Sequence, residues 1–255
     1  CFATSGPGAT NLLTGIATAQ ADSAPMVAVT GQVPVKMIGK DAFQESDIIG
    51  MANPAVKYSY QPRTPEEIPL IVKQGFYIAE TGRPGPVLLD IPKDVQQNEG
   101  KFTFPDEVRI PGYHPWTDPD IPSIEKAIQL LLTSEKPIIL AGGGVIISSA
   151  FAELQSIAEM LMIPVVTTFK GKGAFPENHP LSLGPIGMHG HAEANKLMTE
   201  ADCVLAIGTR FSDRSVGTFE EFEKNLKIIH MDVDPAEIGK NQTTSVAVVG
   251  DVRTS

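Results

Sequence analysis

Cysteine is nearly absent from this chain: of 255 residues only Cys1 and Cys203 carry a thiol, and Cys203 lies inside the apolar run Cys203–Ile207. A disulfide framework is therefore not expected, and a reducing, cytoplasmic setting is. No apolar run approaches the ~20 residues a membrane-spanning helix needs, and no basic stretch leads into an apolar core at the start. Lys and Arg number 20 against 30 Asp and Glu, for a formal charge of −10. The basic residues form no block, so neither a nucleic-acid surface nor a membrane anchor is expected. An initiator methionine is lacking too. Organised structure already reads from Cys1 onward, so further chain is expected upstream.

What is present is the profile of a folded globular protein, with 42% hydrophobic and 20% charged residues. The length favours two domains over one. Short β-branched runs alternate with longer helical ones, the pattern of parallel α/β units. Residues 26–30, 56–60 and 87–91 read as strands. Asn11 to Ala21 and Pro65 to Glu80 read as helices, the second opened by Thr64 as cap, Pro65 in the first turn and Glu67 closing a capping box. From 96 to 120 the periodicity fails among prolines, which reads as a linker. A second alternation follows: helices around 124–131 and 151–161, and strands at 137–141, 164–168, 203–207, 228–233 and 246–249. These five strands suggest a doubly wound, Rossmann-like sheet over 121–255. The fold class expected is α/β, two parallel-sheet domains, with the first over 1–95.

In such sheets ligands sit at the carboxyl ends of strands. The strand at 137–141 runs into Gly142-Gly143-Gly144, a turn that lets backbone approach a pyrophosphate and whose following helix would offer N–H groups to it; a plain tight turn explains it equally well. After Ile207 comes Gly208-Thr209-Arg210-Phe211-Ser212-Asp213-Arg214. Its two arginines can clamp phosphate oxygens with paired donors, or simply pair with Asp213 and nearby glutamates. The strand at 228–233 brings Asp232, placed to accept from ribose hydroxyls, and Asp234, which with Glu237 also fits a capping box. An adenine dinucleotide site follows from these strand ends, without a choice between NAD and FAD. The G-x-G-x-x-G fingerprint is missing.

His189 and His191, with Glu193, invite a metal reading, but the flanking Gly187 and Gly190 suggest a turn and no third strong ligand is evident. The competing reading is a backbone turn under a ligand, with His189 as donor. His230 lies in an apolar strand and reads as a core histidine. In the first domain, Thr4-Ser5-Gly6-Pro7-Gly8-Ala9-Thr10-Asn11 is a small-residue turn into a helix, without the Gly-Lys-Ser/Thr ending of a phosphate-binding loop. Phe43 and Gln44 stand in a loop from which side chains can reach a cleft; alone, they read as core and solvated surface.

Read together, TSGPGATN, DSAPMVAVTGQVP, DAFQESDI, GRPGPVLLDIPKD, GMHG, RFSDR and HMDVDPAEIGKN resemble the large catalytic subunits of the acetolactate synthase family of thiamine diphosphate enzymes, along essentially the whole chain. That resemblance implies three domains, binding the pyrimidine, FAD and the diphosphate, of which this chain would hold the later part of the first and nearly all of the second. It implies condensation of two pyruvates, or of pyruvate with 2-oxobutyrate, with loss of CO₂, in branched-chain amino acid biosynthesis. The cofactor supplies the electron sink. By similarity Gln44, Phe43 and Lys93 would lie at the reacting centre, the substrate channel and the substrate entrance; Pro7 and Asn11 would lie against the aminopyrimidine. Around FAD, taken as structural, would stand Arg83, Gly142, Gly143, Gly144, Thr168, Met188, His189, Gly190, Gly208, Arg210, Asp213, Arg214, Asp232 and Asp251. Mg²⁺ would accompany the diphosphate through a Gly-Asp-Gly…Asn segment that does not occur here; no metal ligand is assigned in this chain. The family's essential glutamate precedes TSGPGATN, so the chain by itself is expected to be inactive. The resemblance further implies a homodimer or tetramer and a regulatory small subunit. Alternatives within reach are glyoxylate carboligase, sulfoacetaldehyde acetyltransferase, or a nucleotide-binding module without chemistry.

Overall fold

The computed structural model describes residues 1–115, 118–216 and 226–255. They form two compact units, Cys1–Pro115 and Trp116–Ser255, each with its own parallel sheet and core.

The first unit runs β1 (Phe2–Ala3), α1 (Pro7–Ala21), β2 (Met26–Gln32), α2 (Ile48–Ala52), β3 (Tyr58–Tyr60), α3 (Ile68–Glu80), β4 (Pro86–Pro92) and α4 (Lys93–Gln97). The sheet order is β1-β2-β4-β3, all parallel. Every residue of β4 is buried, as expected of an apolar central strand with helices on both faces, and Asp90 is the one polar side chain in it. Its side chains alternate: Val87, Leu89 and Ile91 meet Ile71 and Ile78 of α3, while Leu88 meets Ile16 of α1 and Ile48 of α2. The capping box of Thr64 and Glu67 forms, but the turn it opens, Pro65–Glu67, is 3-10 and α3 begins only at Ile68. The first helix starts earlier than Asn11. Pro7 suits a first helical position, where no N–H is needed, so the glycine-proline turn already belongs to α1.

Residues 98–115 contain neither helix nor strand, yet they are tied down. Ile110 and Tyr113 pack on the α3–β4 cluster, the Tyr113 hydroxyl lies 2.8 Å from Thr81 Oγ1, and Lys73 Nζ donates to the carbonyls of Pro105 and Asp106.

The second unit runs α5 (Ile121–Leu132), β5 (Pro137–Ala141), α6 (Gly143–Ile147), α7 (Phe151–Leu161), β6 (Val165–Thr167), β7 (Ser182–Pro185), α8 (Ala192–Glu200), β8 (Cys203–Ile207), α9 (Asp213–Val216), β9 (Lys227–Asp232) and β10 (Val246–Val249). Its six strands are parallel in the order β10-β9-β8-β5-β6-β7. The chain builds outward from β5 through β6 to β7, then crosses to β8 and continues through β9 to β10, the doubly wound arrangement with its reversal between β5 and β8. The expected five strands omit β7. Its sequence, Ser-Leu-Gly-Pro, has no β-branched residue and reads as a turn; it is a strand only because it lies on the sheet edge, where a proline is tolerated. Helix α8 is likewise absent from the expected elements.

Candidate functional site

In the first unit the carboxyl ends of β1, β2 and β4 carry most of the expected residues. Pro7 and Asn11 are exposed on the opening turns of α1, directly after β1. Gly6 has φ +59, and a Cβ there would lie 2.7 Å from the Gln44 carbonyl oxygen and 2.9 Å from its Cβ. Only glycine permits this approach, so the Phe43–Gln44 loop rests on the turn that opens α1. Gln44 itself has φ +58 and is exposed, and Phe43 is 89% exposed, an apolar ring presented outward rather than packed in the core. The Glu45 carboxylate, accepting the Gly39 and Ala42 N–H groups, closes the loop on itself, and those bonds, Gly39's first, hold its pKa down. Lys93 is exposed at the start of α4, at the same end of the sheet. Asp94 beside it accepts the Val35 N–H at 3.0 Å, joining the segment after β2 to the segment after β4. Arg83 is not part of this group. It precedes β4, at the amino end of the sheet, with Nε donating to Ser23 Oγ at 2.9 Å.

In the second unit the expected residues follow the carboxyl ends of all six strands: Gly142–Gly144 after β5, Thr168 after β6, Met188–Gly190 after β7, Gly208 to Arg214 after β8, Asp232 at the end of β9 and Asp251 after β10. At the reversal the two turns interlock. A Cβ on Gly142 would lie 2.1 Å from the Gly208 oxygen, one on Gly144 2.6 Å from Gly208 Cα, and one on Gly208 2.5 Å from Gly144 Cα. The Gly142 and Gly144 N–H groups donate to Ile207 and Gly208 carbonyls at 2.8 and 3.0 Å. The glycines thus serve the chain's own close approach. Helix α6, which follows Gly142, has five residues.

The Met188–His189–Gly190 turn is fixed from two sides. A Gly187 Cβ would meet the Arg214 carbonyl oxygen at 2.2 Å, and the Arg214 guanidinium lies 3.8 Å from Met188 Sδ. From behind, the Asn195 amide pairs with Gly187, accepting its N–H at 2.9 Å and donating to its carbonyl at 3.1 Å. Asn195 was not among the expected residues; it is one of several polar residues on α8, and only its place between buried Ala194 and Met198 sets it apart. Met188 and His189 are exposed. His191 turns its Nδ1 to the Leu183 carbonyl at 3.2 Å. Among the described residues no three His, Cys, Asp or Glu side chains converge as metal ligands.

After β8, buried Phe211 anchors the segment edge-on against His230, centroids 5.2 Å apart, leaving Arg210 half-buried and Arg214 exposed. Arg214 and Asp213 stand 3.7 Å apart on the surface, a contact of little energetic weight. His230 donates from Nε2 to the Thr209 carbonyl at 2.8 Å. Burial holds its pKa below the ordinary value against that hydrogen bond, so the ring is neutral. The Asp232 carboxylate is buried and accepts the Asp234 N–H at 2.9 Å; Asp234 in turn accepts from Ala236 at 3.0 Å. No helix follows, because consecutive turns occupy 235–240, so the capping-box reading of Asp234 and Glu237 is replaced by an Asp-centred turn. Asp251 accepts the Arg253 N–H at 2.9 Å. Phe169 and Lys170, both exposed after β6, belong to the same rim; a Gly143 Cβ would lie 3.2 Å from Lys170 Cβ.

Residues 124–255 match the family model described as thiamine pyrophosphate enzyme, central domain, and residues 1–51 the model described as thiamine pyrophosphate enzyme, N-terminal TPP binding domain. The chain is 56% identical over 256 residues to a probable acetolactate synthase large subunit of Methanocaldococcus jannaschii, covering 99% of this chain and 43% of the relative. It is 52% identical over 258 residues to an acetolactate synthase of Arthrospira platensis, with 99% and 45% covered. Against an acetolactate synthase large subunit of Corynebacterium glutamicum it is 49% identical over 253 residues, with 99% and 40% covered. The chain spans less than half the length of these curated relatives.

Proposed function

This chain belongs to the thiamine pyrophosphate enzyme family, and from that premise we propose that the protein carrying it is an acetolactate synthase, condensing two 2-oxo acids with loss of CO₂. Support for pyruvate as donor, and pyruvate or 2-oxobutyrate as acceptor, comes from relatives named acetolactate synthase at 49–56% identity across the whole of this chain. Thiamine diphosphate supplies the electron sink for decarboxylation when bound. The first unit suits a part of that cofactor: Pro7 and Asn11 are presented on one turn, and Gly6 lets Gln44 lie against it. In this reading Gln44 orients the reacting groups, Phe43 excludes water beside them, and Lys93 draws the anionic substrate in by charge.

FAD is our reading of the second unit's ligand. The observation that carries it is the placement of the glycine turns, both arginines and Asp232 at the carboxyl ends of one six-stranded sheet, around its reversal point. Arg210 and Arg214 would meet the pyrophosphate, Asp232 a ribose, and the Met188–Gly190 turn a ring face. The flavin would be structural, since the net condensation transfers no electrons. A dimeric or tetrameric assembly, a regulatory small subunit, Mg²⁺ bound with the diphosphate, and a cytoplasmic location complete the proposal. No helix among the described residues is long and apolar enough to cross a membrane.

The test pairs two assays. The full-length protein should form acetolactate from pyruvate only when thiamine diphosphate and Mg²⁺ are supplied, and should prefer pyruvate over glyoxylate as donor. This chain should bind FAD saturably by fluorescence, weakened by Arg210→Ala, and should leave NAD and NADP unbound. Preference for glyoxylate would move the assignment to a glyoxylate carboligase, and NAD binding without FAD would overturn the flavin reading.

A further inference from the structure

The first unit buries a carboxylate where packing alone would favour an apolar side chain. Asp90, on the central strand β4, is 0% exposed, and among the described residues it has no Lys or Arg partner. Its three partners are neutral donors: Thr30 Oγ1 at 2.8 Å on Oδ1, and Gln61 Nε2 at 2.8 Å and Gln32 Nε2 at 3.0 Å on Oδ2. Burial pushes the Asp90 pKa up against these bonds. Burying a carboxylate without a cation is costly, and a fully hydrogen-bonded network offsets that cost only while each member holds its partners in place.

Gln32 is one such member. Its Oε1 accepts the Val33 N–H at 2.9 Å, which fixes which way the amide faces. Both amide hydrogens are then committed, one to Asp90 and one to the carbonyl of Ser46 at 2.9 Å. Ser46 stands two residues after Gln44, in the loop closed by Glu45 and resting on Gly6. That loop exposes its functional side chains and buries little, so its backbone is held by hydrogen bonds rather than by a core of its own.

We propose that Asp90 and Gln32 are positioning residues for Gln44: the buried carboxylate locks the Gln32 amide, which holds the loop backbone at Ser46 and so sets where Gln44 is presented. This rests on the reading that Gln44 acts at the reacting centre. The relay works through geometry and not through charge. An asparagine at 90 keeps it, its amide donating to Thr30 Oγ1 while its oxygen accepts from both glutamines.

The experiment uses the full-length protein with Gln32→Met, Asp90→Val, Asp90→Asn, Gln61→Met, Gln44→Ala and the double variant Q32M/Q44A. Q32M and D90V should each lower kcat for pyruvate by roughly tenfold or more, with KM within about threefold, whereas D90N and Q61M stay within about threefold of wild type. In the Q44A background Q32M should cost less than about twofold more, because its effect passes through Gln44. Amide exchange over residues 39–48 should accelerate in Q32M and D90V, stay unchanged in D90N and Q61M, and leave α3 untouched. Asp90→Ser, which also removes Gln32's partner, gives the same direction if either larger change prevents folding. Independent, multiplicative losses in Q32M/Q44A, or unchanged exchange over 39–48 in Q32M, would overturn the proposal. If the wild type makes no acetolactate, the functional reading fails, while the exchange pattern still decides whether the relay holds the loop.

Discussion

His230 is a residue whose environment sets its chemistry. Its ordinary pKa is near 6.5, and burial lowers it in the fold. The unfolded chain therefore binds the proton first as pH falls, so the stability associated with the neutral ring is complete above about 6.5 and is lost on acidification through the folded value. Thermal unfolding of the second unit should shift down between pH 7 and pH 5 in the wild type, and less in His230→Gln, whose amide can keep the Thr209 hydrogen bond without titrating. Equal pH slopes in the two proteins would exclude this role. Gly6 makes the same point through backbone. Gly6→Ala places a methyl against the Gln44 carbonyl in a left-handed conformation, at a cost of about 1–3 kcal/mol measurable by denaturant unfolding. Gly15→Ala, mid-helix with nothing within 4 Å of the added carbon, should be neutral or slightly stabilising.

At the scale of elements, each candidate turn is held by a second element behind it. Gly208→Ala forces a Cβ to 2.5 Å from Gly144 Cα at φ +56, so the turns after β5 and β8 must part. The expected cost is about 2 kcal/mol or more, with flavin affinity falling alongside. Asn195→Ala removes both amide bonds to Gly187 without touching the proposed ligand. It should weaken FAD binding by roughly tenfold while changing stability by only about 1 kcal/mol, because paired amide bonds at a half-buried site are worth that much. Titration by flavin fluorescence beside thermal unfolding separates the two effects. The central strands were legible before the fold: residues 137–141 and 203–207 are continuous apolar runs, and 87–91 is one interrupted only by Asp90. Residues 182–185 were not, since a Ser-Leu-Gly-Pro segment becomes a strand only when β6 offers it an edge. Nor was the start of α1, where the glycine-proline turn hid a first helical position.

At the scale of the whole molecule, the two units have separate sheets and cores, so ligand effects should be separable as well. FAD at one hundred times its dissociation constant should stabilise the second unit by about 2.7 kcal/mol and leave the unfolding of the first unchanged. Differential scanning calorimetry of this chain with and without FAD reads this directly, and a shift of both transitions would show that the units unfold together.

Parallel α/β architecture in two sheets, the family carried by its motifs, and the strand-end positions of the glycines, arginines and Asp232 can all be read along the amino-acid sequence. These are local or periodic properties, visible wherever apolar spacing and turn residues follow one another along the chain. Which of those residues meet depends on the fold. It placed Gly208 between Gly142 and Gly144, Gly6 beneath Gln44 and Asn195 behind Gly187, and it put Arg83 at the far end of its sheet from Gln44. It also disclosed the Asp90–Gln32–Ser46 relay, whose members lie up to 58 residues apart. Such contacts depend on how strands are ordered in a sheet. That order is set by packing whole faces against one another, and no short window of sequence contains it.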